Sequence, residues 1–285
     1  MLLSVRHNGV KKQQEKCDML YFSSLLKVNS QYSLSAENLF CVLSDSGENF
    51  TLFDGAKDIW VRDYMPVRTK SGQYVSFRYE PNYLADDPQL RTNFKADIAP
   101  HFTLPVTYSN INLDGGNVVF SPSKTKAVIT DRVFSENPEY DKNTLLLELE
   151  NLLEAEIIII PSLEGDIPSH AGNMVRFLDN QTVLCNEASG LDGFNRQLKT
   201  TLQYRGFDIL EFPFAPTDGR SGVGRYLNYL ETDEAVFLPV FCIDADARAV
   251  VAAEKLFSKP VEPVMIPNIA ADVGGLHSIS WDMSY

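Results

Sequence analysis

Four segments of the 285-residue chain combine side chains able to do chemistry with glycines that let backbone come close to them. The first is Asp58-Ile-Trp60-Val-Arg62-Asp63-Tyr-Met-Pro66 and the second Asn112-Leu-Asp114-Gly115-Gly116-Asn117. The third is Gly165-Asp166-Ile-Pro-Ser-His170-Ala-Gly172-Asn173-Met-Val-Arg176-Phe177, and the fourth Gly274-Gly275-Leu276-His277-Ser278-Ile279-Ser280-Trp281. Both tryptophans of the chain fall inside these segments. Carboxylates, a histidine and a hydroxyl are the ingredients of acid–base and nucleophilic catalysis. Singly, each segment has a plainer reading: Arg62-Asp63 as an ion pair, Gly115-Gly116 as a tight turn, His170 as a satisfied histidine, Gly274-Gly275 as the end of a strand. A hydrolase built on Ser278 and His277 is opposed by geometry, because neighbours on a strand point to opposite faces.

Other chemistries lose their usual signatures. In Gly219–Gly224 (GRSGVG) the spacing fails GxGxxG, with Leu227 where the last glycine belongs, and neither a Walker loop nor a GxSxG elbow occurs. His7, His101, His170 and His277 form no HExxH, and Cys17, Cys41, Cys185 and Cys242 form no CxxC, so no metal site and no cofactor is implied. The scattered cysteines fit a reducing compartment, and Cys185 and Cys242 read as buried small hydrophobes at or after strands.

The elements that must carry these segments alternate. Strand-like stretches recur at Leu39–Leu43, Tyr74–Tyr79, Asn117–Phe120, Ala127–Thr130, Glu156–Ile160, Thr182–Cys185, Ala235–Val240 and Glu262–Ile266. The run Ile157–Ile160, apolar on both faces, predicts a fully buried strand. Asn143 is expected to cap a helix through Glu154, and residues 191–205 and 245–256 read as amphipathic helices. Adjacent strand pairs with interspersed helices mean an α/β fold with a mixed sheet.

Of the residues, 44% are hydrophobic and 22% charged, so a real core is available. Net charge is −13. That charge repels phosphate and anionic lipid, arguing against nucleic-acid or membrane partners, and favours a cationic ligand at long range. With no long apolar run and the wrong charge order for a secretory signal, the chain reads as soluble and cytoplasmic.

Taken together, the four segments resemble the motif set of the guanidine-modifying (pentein) superfamily, in its agmatine deiminase and bacterial-type peptidylarginine deiminase branch. WVRDYMP resembles its Trp-x-Arg-Asp-x-x-Pro element, LDGGN its acidic-Gly-Gly-Asn element, GDIPSHAGNMVRF its Gly-Asp…His-x-Asp…Arg-Phe element, and GGLHSISW its Gly-Gly-x-His-Cys element. RYLNYL (225–230) and LPVF (238–241) are also similar to family segments, and the order agrees from about residue 35 onward. The resemblance implies an α/β propeller with pseudo-fivefold symmetry of strand-strand-helix-strand units. At about 57 residues per unit, a single domain over 1–285 follows, with residues 1–34 as a candidate extension. It implies hydrolysis of a guanidinium to a ureido group with loss of ammonia, on a small cationic guanidine or an arginine-containing peptide. A homodimer is the default assembly.

The resemblance also assigns roles. Asp63 grips the guanidinium, His170 is the general acid/base, Trp60 walls the pocket and Asp114 lines it, with His277 and Arg176 nearby as substrate-side residues. Ser278 stands where the family has its nucleophilic cysteine, and Gly172 where it has a second gripping aspartate. A serine has no useful anionic fraction at neutral pH, whereas a thiol pKa of about 8.5 leaves some thiolate. Losing a nucleophile costs on the order of 10⁶ in rate in a protease. Each lost charged hydrogen bond costs roughly 1.5–3 kcal/mol. Three accounts stand open: an engineered Cys-to-Ser change, a homologue that binds guanidinium compounds without turning them over, or altered chemistry at Ser278. Substrate choice is expected to rest on loops 80–100 and 186–195.

Overall fold

The computed structural model describes residues 19–166, 168–187, 192–216 and 221–283. It is built from five three-stranded sheets of one topology. In each, a middle strand pairs antiparallel with one neighbour and parallel with the other. The first blade has β1 (Met19–Ser23) at its centre, parallel to β2 (Asn49–Phe53). The second joins β3 (Val67–Arg68), β4 (Tyr74–Arg78) and β5 (Val106–Asn112). The third joins β6 (Val119–Phe120), β7 (Lys126–Thr130) and β8 (Glu156–Ile160). The fourth joins β9 (Val175–Phe177), β10 (Thr182–Asn186) and β11 (Asp208–Phe212). The fifth joins β12 (Leu230–Glu231), β13 (Val236–Val240) and β14 (Val261–Met265). Finally β15 (Trp281–Asp282) returns to the first blade and pairs antiparallel with β1, closing the ring.

The middle strands are apolar on both faces because both are covered: Val128, Ile129, Val183, Leu184, Val236 and Phe237 are fully buried. A parallel pair needs a crossover, and helices supply it in four blades, as with Lys142–Leu153, Asp192–Tyr204 and Ala245–Leu256. The second blade differs: single turns of 3-10 and π type occupy its crossover between β4 and β5.

Several expectations are corrected. Leu39–Leu43 is helical, inside Ser33–Asp45; Ala36, Leu39, Phe40 and Leu43 are buried at helical spacing, and a short apolar run cannot by itself separate helix from strand. Asp141, not Asn143, caps the helix Lys142–Leu153, accepting from the N–H groups of Asn143 and Thr144. Ile159 is half-buried, whereas Ile157, Ile158 and Ile160 of the same run are buried. Cys242 is exposed rather than buried, in a left-handed conformation at φ 64°. Residues 19–23, inside the stretch read as an extension, form a central strand. Among the described residues no helix is long and apolar enough to cross a membrane.

Each blade is entered through a short turn that precedes its brief first strand. These are Val61–Tyr64 before β3, Gly115–Asn117 before β6, Ala171–Asn173 before β9, and turns at 226–227 and 276–279 before β12 and β15. Hydrogen bonds join each turn to the next around the ring. Arg62 N–H donates to Ser278 O at 3.1 Å, and Gly116 N–H to Asp63 Oδ1 at 3.0 Å. Ala171 N–H donates to Asn117 Oδ1 at 3.0 Å, and Asn228 Nδ2 to Asn173 Oδ1 at 2.6 Å and to Ser278 Oγ at 2.9 Å. All five blade junctions are therefore bridged by polar contacts between entry turns.

Candidate active site

These turns enclose a cavity of about 340 Å³ lined by Trp60, Asp63, His170 and Ser278; Asp63 and Ser278 sit in turns, and Trp60 and His170 each lead directly into one. Trp60 lies just ahead of Val61–Tyr64, where its N–H donates to Asp58 Oδ1 at 2.9 Å, fixing the approach to the turn. Asp63 is buried at 7% exposure, and its Oδ1 accepts from the Gly116 backbone. A Cβ at Gly116 would lie 2.4 Å from Asp63 Oδ1 and 2.9 Å from His170 Nδ1, so only glycine lets these two side chains meet there.

His170 is held between carboxylates. Its Nε2 is 2.6 Å from Asp114 Oδ2 and its Nδ1 is 3.6 Å from Asp63 Oδ1. Burial disfavours the charged ring, but Asp63 and Asp114 together outweigh it, and the imidazole pKa is raised. Burial also raises the Asp63 carboxyl, against the pull of His170. Asp114 does not itself line the cavity. It sits behind His170, also meeting Arg132 NH1 at 3.6 Å and Tyr83 Oη at 3.4 Å. Arg132 in turn pairs with Glu136 and lies over the Tyr83 ring.

Ser278 is fixed twice by Asn228: its Oγ accepts from Nδ2, and its N–H donates to Oδ1 at 3.1 Å. None of the described cysteines lines this cavity. Burial pushes the Cys185 thiol up to about 12, far from a reactive thiolate.

The remaining expected residues lie elsewhere. Gly172 lines no part of the cavity; a Cβ there would lie 2.8 Å from Gly116 O and would point toward the His277 ring. His277 and Arg176 line a different cavity, a correction to their reading as substrate-side residues. Ser278 and His277 are neighbours in the turn 276–279 yet border different cavities, and Arg176, on β9, borders the same one as His277. Burial, then Arg62 and Arg176, hold the His277 ring well below its usual pKa.

Asp58 and Asn173, which lie in the chemistry-bearing segments but were given no role, and Tyr79, Tyr83 and Asp272, which lie outside them, also line the cavity. Although Asp58 as a whole is half-buried, burial of its carboxyl, against the Trp60 N–H that favours the charge, pushes its pKa up to about 7. Its signal was its place two residues before Trp60. Loop 80–100 does reach the cavity, through Tyr83, Leu84 and Leu90. In loop 186–195, residues 188–191 fall outside the described residues, as do Gly219 and Arg220 of the glycine stretch and Cys17 and His7. Among the described residues no three His, Cys, Asp or Glu side chains group as a metal site.

The five-bladed ring with its site among the entry turns is the pentein architecture of guanidine-modifying enzymes. Agmatine deiminase from C. jejuni superposes with a TM-score of 0.73 at 16% identity, over 93% of this chain and 92% of that one. A cysteine-to-serine variant of the C. jejuni enzyme with substrate bound gives 0.69 at 17% identity, over 93% and 92%. Agmatine deiminase of Enterococcus faecalis gives 0.70 at 14% identity, again over 93% and 92%. Residues 25–283 match the Porphyromonas-type peptidyl-arginine deiminase family, and the chain belongs to it. No curated protein sequence matches it.

Proposed function

We propose that the cavity binds the guanidinium of an agmatine- or peptidyl-arginine-like ligand, and that with Ser278 in place it hydrolyses that group far more slowly than a cysteine deiminase. The carrying observation is the convergence of Asp63, His170, Trp60 and Ser278 on one cavity. A guanidinium is planar and permanently charged, so it needs a fixed carboxylate beside a flat wall. Asp63 offers Oδ2, since Gly116 occupies Oδ1. Trp60 supplies the wall. The second gripping carboxylate expected at Gly172 is absent, and Asp58 is the other carboxylate of the first entry segment that faces the same space.

A cysteine at 278 would attack the guanidinium carbon as thiolate. A C–S bond forms, a C–N bond breaks, and ammonia leaves with a proton from His170. Water then displaces the sulfur, His170 taking its proton, and a ureido product departs. Ser278 lacks the activation this requires. Both His170 ring nitrogens face carboxylates, and the ring is biased toward its protonated form, which cannot serve as a base for a hydroxyl. That arrangement favours ligand binding over residual serine catalysis.

Calorimetry with agmatine and with an arginyl peptide tests binding; ammonia release by Ser278→Cys tests chemistry. We expect heat saturating at about millimolar ligand or below. We also expect a rise in ammonia release of at least about 10³-fold over the unaltered chain. Silence in both measurements would sink the reading; heat without turnover in Ser278→Cys would leave a guanidinium-binding protein.

A further inference from the structure

A second cavity, of about 430 Å³, backs onto the same entry turns. Adjacent residues divide between the two spaces: Asp63 and Ser278 line the first, Arg62 and His277 the second. Its lining carries five basic side chains, Arg62, Arg68, Lys124, Arg176 and Lys259, against the acidic Glu231 and Asp233. In a chain of net charge −13 this is a local reversal of sign.

Some of that charge is compensated within the protein. Lys259 pairs with Glu231 at 2.8 Å, and Arg62 with the buried Asp282 at 3.7 Å. Arg176 and Lys124 differ. Arg176 is 7% exposed, donates to Tyr229 O at 3.3 Å and lies over the Tyr229 ring at 4.3 Å, so the partners it has are neutral. Lys124 Nζ donates to the Arg68 carbonyl at 2.9 Å and sits near the Phe120 ring. Burial, then Arg68, holds its ammonium down to about 8, against the opposing pull of the Asp282 carboxylate. Both cations hydrogen-bond only to neutral groups, and Asp282, the one carboxylate acting on Lys124, is already shared with Arg62; such desolvated charge is costly unless a further counter-charge arrives.

We propose that this cavity is a binding site for a phosphate-bearing dianion, gripped by the Arg176 guanidinium and the Lys124 ammonium. The planar fork of arginine suits two phosphate oxygens, and lysine adds a point charge. Two cations match a dianion better than a carboxylate monoanion. Phe120, Phe177 and Trp281 line the same space and offer an apolar side to an organic ester.

Calorimetry on the full chain at about 0.1 M NaCl tests this with inorganic phosphate, pyrophosphate, phenyl phosphate and acetate. Saturable binding of at least one phosphate species is expected at about millimolar concentration, with acetate weaker by about tenfold or more. Preference for phenyl phosphate identifies an ester as the ligand; preference for phosphate or pyrophosphate identifies the free anion. Lys124→Gln is expected to weaken binding about tenfold and Arg176→Gln to abolish it, while Lys57→Gln, remote from this cavity, leaves it unchanged. Should Arg176→Gln fail to fold, Lys124→Gln against Lys57→Gln still decides. No saturable heat from any phosphate species by about 10 mM overturns the proposal. So does an equal effect of Lys57→Gln, or acetate binding as tightly as phosphate.

Discussion

Asn228 holds Ser278 from both sides, donating from Nδ2 to the hydroxyl at 2.9 Å and accepting the Ser278 N–H on Oδ1 at 3.1 Å. The same amide donates to Asn173 Oδ1, so one buried side chain joins the fourth, fifth and first blades. Asn228→Ala strips three hydrogen bonds from buried and half-buried groups. The expected loss is about 2–4 kcal/mol in urea denaturation. In the Ser278→Cys background it should lower kcat more than it raises KM, because it misplaces the thiol without touching the carboxylates. A variant with wild-type stability and unchanged kcat would remove Asn228 from this positioning role.

His170 gives a pH signature. Its folded pKa lies above the unfolded value near 6.5, so the stabilisation from the charged ring is fully present below that value. It is lost as pH rises through the raised folded pKa. Urea midpoints of the wild type and His170→Gln should therefore lie farthest apart near pH 5.5 and converge toward pH 9. A gap that widens with pH contradicts the carboxylate clamp around the ring.

Asp58 acts with the opposite consequence for its variant. Its carboxyl is raised to about 7, so ionisation burdens the folded state: the penalty is absent below the unfolded pKa near 4, and complete above about 7. Asp58→Asn should match the wild type at pH 4 and exceed it at pH 8, by up to about 4 kcal/mol as an upper bound. Agmatine arriving beside Asp58 should also expel its proton, giving binding heats near pH 6.5 that depend on the buffer's ionisation enthalpy. Buffer-independent heats would place the cation away from Asp58.

Gly172 is closed to a side chain by the Gly116 carbonyl. Gly172→Ala should cost about 1–3 kcal/mol, because backbone must move to admit the methyl. Gly172→Asp should cost at least as much and add no affinity for agmatine by itself. Calorimetry and denaturation on the two variants check this directly; tighter agmatine binding in Gly172→Asp would show that the entry turns rearrange to admit the carboxylate.

Middle strands such as Lys126–Thr130 and Thr182–Asn186, and the apolar run of the outer strand Glu156–Ile160, were readable from sequence because their β-branched residues are largely buried. The brief first strands were not. Val67–Arg68, Val119–Phe120, Leu230–Glu231 and Trp281–Asp282 are two residues each, too short for any periodicity. The fivefold repeat hid in polar residues instead. Asn117, Asn173 and Asn228 each stand two residues ahead of their blade's first strand, and each hydrogen-bonds across to a neighbouring blade. Setting LDGGNVVF, HAGNMVRF and RYLNYLE under one another exposes that register. Residue types singled out Asp63 and His170, which line one cavity, but which neighbour faces that cavity depends on the path of each turn. Arg176 and His277 were therefore placed on the wrong side.

The pairing of β1 with β15 makes the molecule a nicked circle rather than a line. Residue 19 begins β1 and residue 283 follows directly on its partner β15, so a short linker between them, with new ends opened in an exposed crossover, should yield a permuted chain with every entry turn intact. The gap between Leu20 and Asp282 is also the longest loop the chain must close, so ring closure is expected to pace folding. A permutant that opens elsewhere would shift that slow step to another blade while leaving the cavity's contents unaltered.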